Sequence, residues 1–195
     1  FKELADYDEA RIAGEALRVE VDSLLADVQR IAPIGPAQPP KGLRRGLSLN
    51  NDIWYFISSR ATFAIDQRTG ILAGLWDSKT DRRCVVASAD HYWMETRTSL
   101  VEADALDDRV IQASASEQHL ILSVTNPDLP GLSIMKEYWL KQDGILAKRF
   151  SVHARLAQPA LLRVSSRTYF DEAFLAKAYY QRLLHPTINV DSIRS

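Results

Sequence analysis

The sequence is poor in cysteine, and its single thiol, Cys84, excludes whole classes of protein. One cysteine cannot form an intramolecular disulfide, and it cannot supply the paired ligands of a zinc or iron–sulfur site. Cys84 opens the apolar stretch Cys84-Val85-Val86, where a buried and unreactive thiol is typical. The sequence therefore predicts neither a metal site nor a cofactor.

An excess of charge and a long apolar run are also missing. The formal net charge is −1 at pH 7, whereas nucleic-acid binding needs a clustered excess of lysine and arginine. No apolar stretch is long enough to span a bilayer, and no signal peptide is visible. The nucleophile elbow of serine hydrolases, the phosphate-binding loop and the zinc-protease helix signature do not occur. We expect neither a nucleic-acid partner nor a membrane span.

The N-terminal part, residues 1–32, carries the periodicity of a helix. Apolar residues recur at alternating steps of four and three, with charged residues between them, at Leu17, Val21, Leu24, Val28 and Ile31. This pattern predicts an amphipathic helix whose apolar side needs a partner: the sheet of the same chain, a second copy, or another domain. The proline-rich stretch that follows, within residues 33–49, predicts a strap or linker, because proline disfavours both helices and central strands.

From residue 50 the apolar residues alternate with a period of two, which predicts β-strands. Asp66-Gln67-Arg68-Thr69-Gly70 and Asp143-Gly144 predict hairpin turns between such strands. Consecutive strands without helices between them predict an antiparallel β-sandwich over residues 50–170. The predicted strands are 52–58, 61–66, 71–76, 83–87, 92–101, 109–115, 119–125, 132–141, 145–155 and 161–170.

Two stretches carry a family resemblance: "AIDQRTGILAGLWDSKTDRR", residues 64–83, and "GLSIMKEYWLKQDGILAKRFSVHA", residues 131–154. Both resemble the galactose mutarotase-like supersandwich domains of carbohydrate-active enzymes, in which an Asp-x-x-Thr-Gly turn and an Asp-Gly hairpin join strands. Such a domain commonly precedes the catalytic domain of a glycoside hydrolase. The resemblance implies a supersandwich fold, an exported bacterial parent protein, and a C-terminal segment, residues 171–195, that leads toward a catalytic domain outside this chain.

The segment "DHYWMET", residues 90–96, brings together the groups that commonly bind sugars. A pyranose has an apolar C–H face and a rim of hydroxyl groups, so aromatic rings beside planar polar side chains suit it. We predict a ligand site that includes His91, Tyr92, Trp93 and Glu95. Because neighbouring residues of a strand face opposite ways, Trp93 and Tyr92 should not share a face, and Trp93 is the favoured platform.

No catalytic residues are predicted. The resemblance implies a histidine acid and a glutamate base, but His91 does not match the family's motif, and the catalytic pair is not carried over. His119 and His153 are predicted to face outward from the sheet. Glu137 is predicted to form a solvent-facing cross-strand pair, and Asp171-Glu172 to cap a turn or helix.

The expected function is that of a non-catalytic carbohydrate-binding or scaffolding domain of a larger enzyme, with an oligosaccharide or polysaccharide as partner. One alternative is a stand-alone sugar epimerase or polysaccharide lyase that uses His91 and a nearby carboxylate. Another is an interaction module that self-associates through the N-terminal helix.

Overall fold

A computed structural model describes residues 11–19, 21–22, 26, 29–30, 35–142, 144–156 and 158–171 of the 195-residue chain. The described part is mainly β, with a short helical segment at residues 11–19. The strands are β1 (Gly46–Asn50), β2 (Ile53–Ile57), β3 (Ala61–Asp66), β4 (Leu72–Asp77), β5 (Arg83–Glu95), β6 (Leu100–Asp104), β7 (Arg109–Ser116), β8 (His119–Thr125), β9 (Leu132–Leu140), β10 (Leu146–Ala154) and β11 (Leu161–Phe170).

The strands form two antiparallel sheets. The seven-stranded sheet has the order β1-β2-β3-β4-β5-β11, and β6 pairs with the same edge of β5 as β4 does, farther along that strand. The four-stranded sheet has the order β10-β9-β8-β7. Apart from β11, neighbouring strands are consecutive in sequence, as short hairpin connections require.

The turn at Asp66–Gly70 connects β3 to β4 and contacts the four-stranded sheet. Asp66 Oδ1 accepts hydrogen bonds from the backbone N–H groups of Arg68 and Thr69, at 2.6 and 3.0 Å, as the sequence predicted for this Asx turn. Gly70 has a φ of +67°, and a Cβ there would lie 3.0 Å from a side-chain carbon of Leu122, so glycine suits both its backbone and its packing. The turn is therefore packed against the four-stranded sheet.

Residues from both sheets pack into one hydrophobic cluster. Its fully buried members include Phe56 and Ile65 from the seven-stranded sheet and Leu120, Leu122 and Ile134 from the four-stranded sheet. The burial of β8 alternates strictly along the strand, as a half-buried strand requires. The contact between the sheets is thus set by the period-two pattern of the sequence.

A second apolar cluster covers the other side of β2, β3 and β4. Trp76 is almost completely buried there with Tyr55 and Ala73, and the strap residue Leu43 packs against them. The indole Nε1 of Trp76 donates to the backbone oxygen of Ala37 at 3.4 Å. Residues 35–43, which form bends and a turn, therefore cover part of this face.

The structure corrects two strand predictions. Residues 83–95 form one long strand, β5, and residues 96–99 form a turn before β6, where a single strand was predicted over 92–101. Strand β1, Gly46–Asn50, begins inside the segment predicted as strap or linker, residues 33–49. Its pairing with β2 stabilises this strand, and such pairing is a tertiary effect that the local composition does not reveal.

The N-terminal helical segment is exposed where the structure describes it. Every residue of 11–19 is exposed, including the apolar Ile12, Leu17 and Val19. Leu24, Val28 and Ile31 of the predicted apolar stripe lie outside the described residues, as does the segment after Asp171. Arg30 contacts the short 3-10 turn between β6 and β7, where its guanidinium donates to both carboxylate oxygens of Asp107 at 3.0 Å.

Candidate functional site

A network of buried charges lies between the sheets. The side chain of Lys136, on β9, has no exposed surface, and its Nζ lies 2.7 Å from Asp108 Oδ2 and 3.5 Å from Asp90 Oδ2. Lys136 Nζ also donates to the backbone oxygen of Thr69 at 3.2 Å. One buried ammonium group thus connects two carboxylates to the Asp66–Gly70 turn.

Asp108 is held from three sides. In addition to Lys136, the hydroxyl of Tyr92 donates to its Oδ2 and the amide of Asn126 donates to its Oδ1, each at 2.7 Å. Burial is the main cause that raises the pKa of the Tyr92 hydroxyl far above its usual range, and the Asp108 carboxylate adds to the effect. Tyr92 is therefore a neutral hydrogen-bond donor inside the core.

Asp90 forms the part of the network that opens toward the surface. Both of its oxygens contact Lys148 Nζ, at 2.5 and 2.6 Å, and Ser166 Oγ donates to Oδ1 at 2.7 Å. Burial opposes the ionisation of Asp90, but the charges of Lys148 and Lys136 outweigh it, so its pKa lies below the ordinary value. Each carboxylate of the network thus has cationic and neutral donors, as buried charges require.

The predicted ligand residues divide between the two faces of β5. Tyr92 points into the core and is fully buried, whereas Trp93 is half-buried on the opposite face and Glu95 is exposed. This confirms the prediction that Trp93 and Tyr92 do not share a face. Tyr92 cannot contact a ligand on the face of Trp93, and the participation of the other residues in binding stays a prediction.

Trp93 lies in an open groove formed by β5, β6 and β11. The groove, which we call the Trp93 groove, has a volume of about 580 Å³. Its lining residues are Trp93, Glu95, Leu100, Glu102, Leu161, Arg163, Val164 and Ser165. The antiparallel register places Glu102 and Arg163 directly beside Trp93 on the neighbouring strands. An indole ring, two carboxylates and a guanidinium group thus share one surface.

His91 lies next to the groove, on the same face of β5 as Trp93, and its neighbours cover most of it. Its side chain is 12% exposed, and its ring centroid lies 4.3 Å from that of Trp93 in an edge-to-face contact. Both ring nitrogens are buried and lie 3.8 Å from carboxylate oxygens, Nε2 from Glu102 and Nδ1 from Asp104. His91 therefore supports the Trp93 ring from one side.

A second polar pocket lies on the four-stranded sheet. This pocket, which we call the Trp139 pocket, has a volume of about 590 Å³. Its lining residues are Ser116, Glu117, Gln118, His119, Glu137, Trp139, Leu140 and Arg149. Glu137 stands between two partners, with His119 Nε2 at 2.7 Å from Oε1 and Arg149 Nε at 3.3 Å from Oε2. The outward orientation of His119 and the cross-strand pairing of Glu137 were predicted, but their meeting in a pocket was not.

The buried lysine network was missed by sequence reasoning. Lys136 shares the parity of Ile134 and Tyr138, two core residues of β9, and this alternation could have placed it inside. Among the described residues, no group of three or more histidine, cysteine, aspartate or glutamate side chains is placed to hold a metal ion. Cys84 is half-buried, not buried as predicted. Its partial burial raises the pKa of the thiol, so the thiol form is favoured over the reactive thiolate.

Comparisons with known proteins do not identify a family. The chain matches no protein-family model, and it has no significant match among curated proteins. In the part of the chain that the structure describes, no helix combines the length and the apolar character needed to cross a bilayer. Function must therefore be inferred from the chemistry of the grooves.

Proposed function

We propose that this chain is a non-catalytic, carbohydrate-binding β-sandwich of the galactose mutarotase-like supersandwich type. Two antiparallel sheets that contribute to one hydrophobic cluster support the sandwich architecture. The Asp66–Gly70 turn, which carries part of the resemblance, is held by the buried side chains of Lys136 and Tyr138. These bonds to backbone oxygens attach the turn to the four-stranded sheet.

The Trp93 groove is the observation that carries the sugar-binding proposal. A half-buried indole offers a flat apolar surface to the C–H face of a pyranose, and Glu95, Glu102 and Arg163 offer acceptors and donors to its hydroxyl groups. The exposed side chains of Leu100 and Leu161 extend the apolar surface along the groove. A groove open to solvent suits part of an oligosaccharide or polysaccharide chain.

The environment of His91 favours binding over catalysis. Both ring nitrogens are buried, so proton transfer to a ligand in the groove would require the side chain to move. This argues against the alternative of a stand-alone epimerase or polysaccharide lyase that acts through His91. By the resemblance, the parent protein would be an exported bacterial glycoside hydrolase, with its catalytic domain as a further partner.

Titration with oligosaccharides tests the proposal. Trp93→Ala should weaken binding by about tenfold or more, because it removes the apolar platform. Binding would be followed by tryptophan fluorescence and by ligand-observed NMR, with Trp54→Ala as the matched control, because it removes a half-buried indole of β2 that lies outside the groove. An oligosaccharide affinity that does not change in Trp93→Ala would show that the oligosaccharide does not bind in the groove. Sugar turnover that is abolished by His91→Ala would favour the enzymatic alternative.

Assembly through the N-terminal helix is a second candidate function. The observation that favours it is the exposure of Leu17 and Val21, two described members of the predicted apolar stripe, which are 62% and 45% exposed. Exposed apolar side chains on a helix commonly mark an interaction surface. Light scattering after size-exclusion chromatography tests this, because Leu17→Asp should shift an oligomer toward the monomer. A wild-type chain that is monomeric at high concentration would exclude self-association.

A further inference from the structure

The Trp139 pocket holds an acceptor and a donor side by side on a rigid support. The Glu137 carboxylate lies 2.7 Å from His119 Nε2 and 3.3 Å from Arg149 Nε, and the Arg149 guanidinium carbon lies 5.6 Å above the centre of the Trp139 ring. The ring of His119 meets the Trp139 ring edge to face, at 6.2 Å between centroids. Groups held in this way lose little side-chain entropy when a ligand binds.

The Glu137 carboxylate and the Arg149 guanidinium also remain accessible to a ligand. The side chain of Arg149 is 64% exposed, and the nitrogen that contacts Glu137 is Nε. A guanidinium group has five N–H donors, so this contact occupies only one of them. Glu137 is more enclosed, at 13% exposed, but it lies in the wall of a pocket of about 590 Å³. That volume is enough for one or two sugar rings.

A vicinal diol is the ligand group that matches this pair. One hydroxyl can donate to the carboxylate while its neighbour accepts from the guanidinium, and both bonds are charge-assisted. Trp139 and Leu140 supply apolar surface for the ring that carries the diol. The carboxylates of Glu117 and Glu137 stand against the single guanidinium of Arg149, so repulsion disfavours an acidic sugar.

We propose that the Trp139 pocket is a second ligand site, specific for the vicinal diol of a neutral pyranose ring and independent of the Trp93 groove. It lies on the other sheet, and none of its lining residues lines the groove. The proposal does not require the Trp93 groove to bind carbohydrate.

Small diols test the chemistry directly. Saturation-transfer NMR with the full chain should show transfer to trans-1,2-cyclohexanediol and to methyl β-D-glucopyranoside. The isomer trans-1,4-cyclohexanediol has the same ring and the same number of hydroxyl groups. It should show little transfer, because its two oxygens are too far apart to contact the Glu137 carboxylate and the Arg149 guanidinium at the same time. Equal transfer to the two diols would overturn the proposal.

Two substitutions assign the binding to the pocket. Arg149→Lys keeps the charge but loses the planar fork, and Glu137→Gln keeps the shape but loses the charged acceptor; each should weaken binding by about tenfold. Arg149 is exposed, so its variant should fold even if the Glu137 variant does not. Unchanged affinity in Arg149→Lys would overturn the proposal.

Two controls separate this site from its surroundings. His153→Gln changes another polar side chain on the same face of β10, outside the pocket, and should leave diol binding unchanged. Trp93→Ala should also leave it unchanged, so failure of the groove and failure of the pocket give different results. Diol binding lost in Trp93→Ala but kept in Arg149→Lys would place the diol in the groove and refute a site at Trp139.

Discussion

Lys136 and Glu137 are neighbours on β9, and each belongs to a cluster of charges, but the clusters lie on opposite faces of the sheet. Lys136 faces the interior, where Asp90 and Asp108 neutralise it out of contact with water. Glu137 faces outward, where its partners His119 and Arg149 are 39% and 64% exposed. Adjacent residues of one strand thus form ion pairs in two environments, the protein interior and the surface.

The difference teaches which cluster stabilises the fold and which is available to a ligand. In the interior, an unpaired charge is very costly, so the partners of Lys136 hold each other in one arrangement. On the surface, water competes for every contact, and an ion pair contributes little to stability. The interior network should therefore control folding, whereas the outer cluster can exchange its partners for ligand groups.

The largest effect is expected when the interior cation is removed. Lys136→Met keeps a long side chain but leaves two buried carboxylates without one of their partners, so it should lower the free energy of unfolding by about 3–5 kcal/mol. Urea unfolding followed by tryptophan fluorescence at pH 7 measures the change. A loss below about 1 kcal/mol would mean that water reaches the network.

A double variant sharpens this result. In Lys136→Met, the Asp108 carboxylate is left without its cation. Adding Asp108→Asn removes that unpaired charge, so the double variant should be more stable than Lys136→Met alone. An additive loss would show that Lys136 and Asp108 do not stabilise each other.

Acid should weaken the interior network through Asp90. The folded state holds the pKa of Asp90 below its ordinary value of about 3.9. Its contribution to stability is therefore fully present above that ordinary value and is lost as the pH falls through the lower, folded value. Urea unfolding between pH 7 and pH 2 should show wild type approaching Asp90→Asn below about pH 4. A constant difference between the two proteins over this range would contradict the linkage.

The smallest effect on stability is expected at the outer cluster. Arg149→Ala removes an exposed cation from Glu137 and should change the free energy of unfolding by less than about 1 kcal/mol. The same urea experiment measures this change, with Arg163→Ala, an exposed arginine of the other sheet, as the control. A loss as large as that of Lys136→Met would remove the distinction between the two clusters.

Local pattern was enough to predict much of the sheet structure. The Asx turn at Asp66, the opposite orientation of Tyr92 and Trp93, and the outward face of His119 all depend on interactions within a few residues or on the period of a strand. Strand β1 was missed because its stability comes from pairing with β2, and the long β5 was divided because its middle, Ser88 to Asp90, is polar or small.

The sequence by itself determined the period of the strands, the positions of the turns and the face on which each side chain lies, because these follow from local backbone geometry. Only the tertiary structure decided which charges meet. Asp90 and Lys148 are 58 residues apart and contact each other because β5 and β10 belong to sheets that pack together. The meeting of His119, Glu137 and Arg149 depends likewise on the register of three strands, and register is set by burial across the whole sheet.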